Sequence, residues 1–433
     1  MLLMDQAFET SSHKMDPLET ERLSVIIYQV MSARYRIFHT MEHIFTAAED
    51  SSGVNMLAAF CHDLVYYQVD KRIHPLILPH LTEFNINEKT NECILPELSV
   101  EHWMSISGKI FGFNAHQTLN PFNGLNEFLS AVATARMLSP FLGEWQVIQI
   151  IACMEATIPF RSQLNPETNS FKLLRERLSG LNQEYQLKKN DNEIDEVMSA
   201  SIKISNQDVC SFYAKDFGEF ISGTWNLILE NNPIFKNPLY TVIEYRKALQ
   251  KVRGFFSFLN YENVVHEWGN FPPRQDFLEM KQQVSINLKN AIQYIDLKLV
   301  GITILEVFAM STGGDAPYFL LIGKSPDGSS KAPIERFFPD TKVKKSSSMD
   351  AVYEVLKNGR KAKSSFDFNH SPVSSYLFEN LSSEEIQSSI LLTQEFHEGK
   401  IDAQKFIHSF RPEILEPISK GVSEVSWSRK PKI

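Results

Sequence analysis

Three histidines and one aspartate crowd into FHTMEHIFTAAEDSSGVNMLAAFCHDLVYYQVD, residues 38–70. His39 and His43 stand four apart, so a helix would turn both imidazoles toward one place. His62 and Asp63 are adjacent, and neighbours on a helix diverge by about 100°. They share one ligand only if it lies close against the backbone. A divalent cation favours such crowding, because it neutralises the carboxylate and accepts the imidazole lone pairs. A single histidine on an apolar helix face is ordinarily a core residue. The balance shifts here because Asp63 lies inside LAAFCHDLVYY, where an unpaired carboxylate would be expensive to bury.

The elements that must position these groups read as helices. Apolar residues recur at three- and four-residue intervals over 19–38, preceded by Pro17, and again over 40–49 and 54–67 with SSG between them. Residues 125–141, 144–158, 196–231, 239–259 and 275–311 repeat that period, while strict alternation over six or more residues is scarce. Pro75, Pro79 and Pro96 interrupt 71–118, which reads as an irregular excursion with short helices. The expected fold class is all-α, with an additional C-terminal helical region. Expected divisions are a flexible N-terminus at 1–18, a helical domain at 19–320, a Ser/Lys/Pro/Gly-rich loop or linker at 321–350, and a helical appendage at 351–433.

Composition narrows the function classes. The 433 residues are 43% hydrophobic with 31 Phe, enough for a large core, and carry a formal charge of −9. That charge argues against a broad basic face for a nucleic-acid duplex. Cys61, Cys93, Cys153 and Cys210 are scattered without a CxxC pair, which fits a reducing compartment. No apolar run is long enough to cross a bilayer, and the N-terminus carries acids where a signal peptide needs a basic and then apolar run. A cytoplasmic location with no membrane partner is expected; export by a signal-less route stays open.

His43 followed by the His62-Asp63 doublet resembles the HD superfamily of metal-dependent phosphohydrolases and phosphodiesterases. FHTMEH with AAFCHDLVYYQVD is similar to a bacterial branch of it, as are NEFLSAV (126–132), MEATIPFR (154–161), SNQDVCSF (205–212), TWNLILEN (224–231), YTVIEYRKAL (240–249) and STGGDAP (311–317). The resemblance covers roughly 20–320 and implies an HD-type helical bundle. It further implies that His43, His62, Asp63 and a later helical aspartate, Asp208, bind metal. Asp191, Asp195 and Asp216 stay open as alternatives to Asp208. Mixed imidazole and carboxylate ligands suit Mn, Fe, Co, Ni, Zn or Mg.

The chemistry expected is hydrolysis of a phosphoester or phosphodiester in a small, nucleotide-like substrate by a metal-activated water. Asp63, as a bridge to that water, His39, as a proton donor or supporting group, and Glu127 are the candidate catalytic residues. Glu155 and Arg161 are candidates for holding substrate. Lys71 and Arg72 read as a solvated charge run, and STGGDAP as a tight turn.

Two other classes stay in view. One is a phosphodiesterase acting on a phosphoribosyl-modified protein, by remote analogy with SidE-type ubiquitin-modifying effectors; His62 and Glu127 have counterparts there, but no histidine occupies 185–210. The other is a non-enzymatic helical scaffold that retains the ligand-binding core and docks a protein partner through 351–433.

Overall fold

The computed structural model describes residues 1–10, 15–159, 169–237, 239–324, 333–339, 350–362 and 367–429. Arg161 and most of the expected linker at 321–350 lie outside the described residues. The fold is all-α, with one small antiparallel sheet among the described residues, of β1 (Ile86–Asn87), β2 (Glu92–Ile94) and β3 (Thr118–Leu119) in the order β1-β2-β3. The sheet falls in the excursion read as irregular. The chain forms two compact units, 1–213 with 259–282, and 214–258 with 283–433. This division differs from the expected boundary at 320: the helices beyond 350 share a unit with 214–258 and 283–324.

The first unit holds α1 (Leu2–Thr10), α2 (Pro17–Met31), α3 (Met41–Ala47), α4 (Gly53–Cys61), α5 (Tyr67–Asp70), α6 (His102–Phe111), α7 (Leu125–Leu138), α8 (Glu144–Ala156), α9 (Ser170–Glu184) and α10 (Asp191–Asp208). Starts are set locally. The Asp16 carboxylate accepts from Leu18 N with Pro17 at the first helical position, and Asn190 forms a reciprocal capping box with Glu193. Helix α8 packs against α4, α7 and α10 at the centre of the unit. Its inner residues from Ile150 to Ala156 are all buried, and α7 is buried on nearly every face, with Ala131, Ala133 and Ala135 permitting close approach. The N-terminus departs from expectation. Residues 2–10 are helical because Met4, Ala7 and Phe8, spaced three and four apart, bury one face in the core.

The second unit holds α11 (Phe217–Asn231), α12 (Val242–Phe258), the greater part of the 39-residue α13 (Arg274–Thr312), α14 (Tyr318–Ile322), α15 (Asp350–Asn358), α16 (Pro372–Asn380), α17 (Ser383–His397), α18 (Ala403–His408) and α19 (Pro412–Val425). Gly301 lets α16 approach α13: a Cβ there would lie 2.8 Å from Ser374 Oγ. STGGDAP is the tight turn expected, with Gly313 and Gly314 at φ 144° and 102° and the Gly314 carbonyl accepting from Arg429.

Candidate metal centre

Two helix ends build the site. Helix α4 stops at Cys61, so His62 occupies the cap instead of continuing a helix through 67. The His62 Nδ1–H donates to Ala59 O at 2.8 Å, satisfying a terminal carbonyl, and Nε2 is left facing the site. His62 keeps helical φ and ψ of −61° and −30°, and its ring, held by the Ala59 bond, places Nε2 3.1 Å from Asp63 Oδ2. Both side chains of the doublet reach one point. Similarly, the continuous helix read over 196–231 breaks: Asp208 is the last residue of α10, and α11 begins afresh with Asp216 as its cap. The negative ends of α4 and α10 therefore both reach the cluster, a field that favours a cation.

The donor atoms form a ring of alternating nitrogen and oxygen. His43 Nε2 lies 3.3 Å from Asp63 Oδ2 and 3.0 Å from Asp208 Oδ1. His62 Nε2 lies 3.1 Å from Asp63 Oδ2 and 3.2 Å from Asp208 Oδ1. Atoms bound to one ion at about 2.0–2.2 Å and roughly at right angles stand about 3 Å apart, so these spacings fit a shared cation. His43 Nε2 and Asp63 Oδ2 are buried without a hydrogen-bond partner. Their distances would allow one, but the angles do not, and charge carries the attraction.

Electrostatics follow. Burial by itself would depress both histidines, but the negative Asp63 and Asp208 outweigh it, lifting His43 to about 9 and His62 well above its usual value. Burial likewise opposes ionisation of the two acids, and the facing imidazoles win. Asp208 is held down at about 2 and Asp63 well below the carboxylate range. With no cation bound, protons on the histidines balance the two carboxylates.

His39 joins this group by a route different from the one expected. Helix α3 begins only at Met41, so His39 sits in the bend that precedes it and not one helical turn from His43. It nevertheless stacks on Tyr66 with ring centroids 3.9 Å apart, and its ring nitrogen comes within 4.8 Å of donor atoms of His43 and Asp63. Glu127 is buried on α7, where desolvation, reinforced by the charges of Asp63 and Asp208, pushes its carboxyl up to about 8. Glu127 Oε2 has no hydrogen-bond partner.

Other candidates are engaged elsewhere. Glu155, a candidate for holding substrate, is wholly buried and ion-paired with Arg177 at 2.8 Å. Asp191 and Asp195 bind Arg175, Asp195 also accepts from Trp268 Nε1, and Asp216 caps α11. Asp208 alone of the four open acids reaches the histidines.

Three supporting residues were not singled out from the sequence. Arg36, with its side chain fully buried, donates from Nη1 to Asp63 O at 2.6 Å and from Nη2 to Asp70 at 2.7 Å. Asn126 and Ser130 on α7 accept from Tyr67 N and Val65 N at 3.0 and 2.9 Å. These bonds fix the backbone from Asp63 through Asp70, on the downstream side of the doublet. Their signal was faint: Asn126 flanks Glu127 in NEFLSAV, but an arginine at 36 resembles any exposed helix-end charge.

No family model, curated protein or solved structure matches this chain. The geometry of the site carries the functional argument.

Proposed function

We propose that this chain is an HD-type metal-dependent hydrolase of phosphoesters or phosphodiesters, with a small nucleotide-like substrate. The observation that supports this most is the buried ring of His43, His62, Asp63 and Asp208 donors at 3.0–3.3 Å. A divalent cation held by these four would supply a water of lowered pKa and a Lewis acid for phosphoryl oxygens. Ala59 O fixes the His62 tautomer, and Arg36 holds the backbone of Asp63 in place. Proton transfer falls to His39, stacked beside the ring, and to Glu127, whose raised pKa keeps its carboxyl mostly protonated at neutral pH.

Convergence of the four donors favours this reading over a scaffold without chemistry. The test is hydrolysis of a panel of nucleotides and phosphodiesters after reconstitution with Mn, Fe, Co, Ni, Zn or Mg. Activity that depends on metal and is abolished in His62→Ala and Asp63→Ala supports the proposal. A metal-loaded protein inert across the panel overturns it.

A further inference from the structure

His39 stands beside the metal centre on a backbone that does little to aim it. It is the middle residue of a γ-turn, outside any helix, with Thr40 N donating to Phe38 O at 2.9 Å. A helix would set the direction of its Cα–Cβ bond through several turns of hydrogen bonds. A single turn sets it poorly, so side-chain contacts must supply the rest. Aromatic rings surround the imidazole. Tyr66 covers one face with centroids 3.9 Å apart and planes at 35°, while Phe38 and His43 meet it edge-on at 4.9 and 5.4 Å.

Tyr66 is the firmly held member of this group. Its carbonyl accepts from Val69 N and Asp70 N at 3.1 and 3.0 Å, which opens α5. The amides on either side of it are tied to α7, Val65 N to Ser130 and Tyr67 N to Asn126. The Arg36 guanidinium, itself bound to Asp63 O and Asp70, lies 6.0 Å from the Tyr66 ring centroid. Tyr66 thus stands on the scaffold that fixes Asp63, and its ring carries that order across to His39. The His39 ring nitrogen comes within 4.8 Å of donor atoms of His43 and Asp63. Misplacing a reacting group by about 1 Å costs about 100-fold in rate. We infer that Tyr66 is a positioning residue, whose ring holds the His39 imidazole in place for proton transfer beside the metal centre. The reaction rests on the hydrolase reading above; the placement rests on the ring geometry alone.

Placement is read by NMR of the full chain with labelled histidine and no paramagnetic metal. Protons over an aromatic face shift upfield, so those of the His39 ring are expected upfield in the wild type and in Tyr66→Phe, and back at ordinary positions in Tyr66→Leu. Ordinary shifts in the wild type, or an upfield shift undiminished in Tyr66→Leu, overturn the inference. Should Tyr66→Leu fail to fold, NOEs between the His39 and Tyr66 rings of the wild type decide, and their absence contradicts it. The kinetic arm uses any panel substrate that the metal-loaded wild type cleaves. Tyr66→Leu is expected to lower kcat about 10–100-fold with KM and bound metal near wild type, and Tyr66→Phe to recover most of that loss. Combining Tyr66→Leu with His39→Ala should lose no more than His39→Ala alone, because both act through one imidazole. Losses that multiply, or a wild-type kcat in Tyr66→Leu, overturn the inference. A wild type that hydrolyses nothing fails the hydrolase reading instead, and the NMR arm still decides whether Tyr66 holds His39.

Discussion

Asp208 and the histidines it faces support one another through opposite charge, and this coupling is measurable without any metal. In metal-free protein His43 is expected to titrate at about 9, and Asp208→Ala to bring it down, observable by NMR titration of the imidazole. The folded pKa lies above the unfolded value near 6.5. The stability it contributes is therefore complete below pH 6.5 and is lost as pH rises through about 9. Chemical denaturation of metal-free protein across that window should show the decline, and divalent metal should oppose it, because the ion takes the place of the protons. Glu127 has its own signature. Its carboxyl, raised to about 8, disfavours the fold increasingly between pH 4.5 and 8, so Glu127→Gln is expected to stabilise the protein at pH 7–8. A variant less stable than wild type there would contradict that burial. Of this residue-level picture, His43, His62 and Asp63 were legible from type and spacing. Arg36 was not, since its task depends on the Asp63 carbonyl 27 residues downstream.

At the scale of elements, the site depends on where helices stop. Periodicity marked α4 and α10 but carried both too far, because apolar residues continue past Cys61 and past Asp208 in helical spacing. The ends are imposed by long-range bonds: Ser130 and Asn126 take the amides of 65 and 67, and the Asn206 side chain exchanges hydrogen bonds with the backbone of His266. Arg36→Ala tests this clamp. It strands Asp70 and the Asp63 carbonyl, and should cost about 3–5 kcal/mol by denaturant unfolding and about 10–100-fold in metal affinity. A loss of stability with unchanged metal affinity would separate the clamp from the site. In the second unit, Thr303 on α13 bonds the His397 ring of α17 at 2.8 Å. Burial and the nearby Arg246 depress His397 to about 4. The neutral ring favours the fold above pH 6.5, and that contribution fades as pH falls toward 4. His397→Gln is expected to lessen the loss of Tm over this range.

For the whole molecule, helical period and composition foretold an all-α chain, and the division into units escaped them. Residues 259–282 return to the first unit, where the His266 backbone meets Asn206 and Trp268 reaches Asp195. Such returns leave no mark in local spacing. The three-strand sheet was equally hidden, since strands of two or three residues are too short to show alternation. With a formal charge of −9, the protein is expected to show no retention of duplex DNA at physiological salt in a gel-shift assay. Tight, salt-sensitive binding would require a basic surface that the composition argues against.

Metal content measured on the full chain bears most directly on the central claim. After incubation with a divalent metal and desalting, elemental analysis should find stoichiometric ion in the wild type and a large loss in His62→Ala and Asp208→Ala variants that remain folded. A folded wild type that retains no ion, or variants that retain as much as wild type, would contradict a cation shared by His43, His62, Asp63 and Asp208.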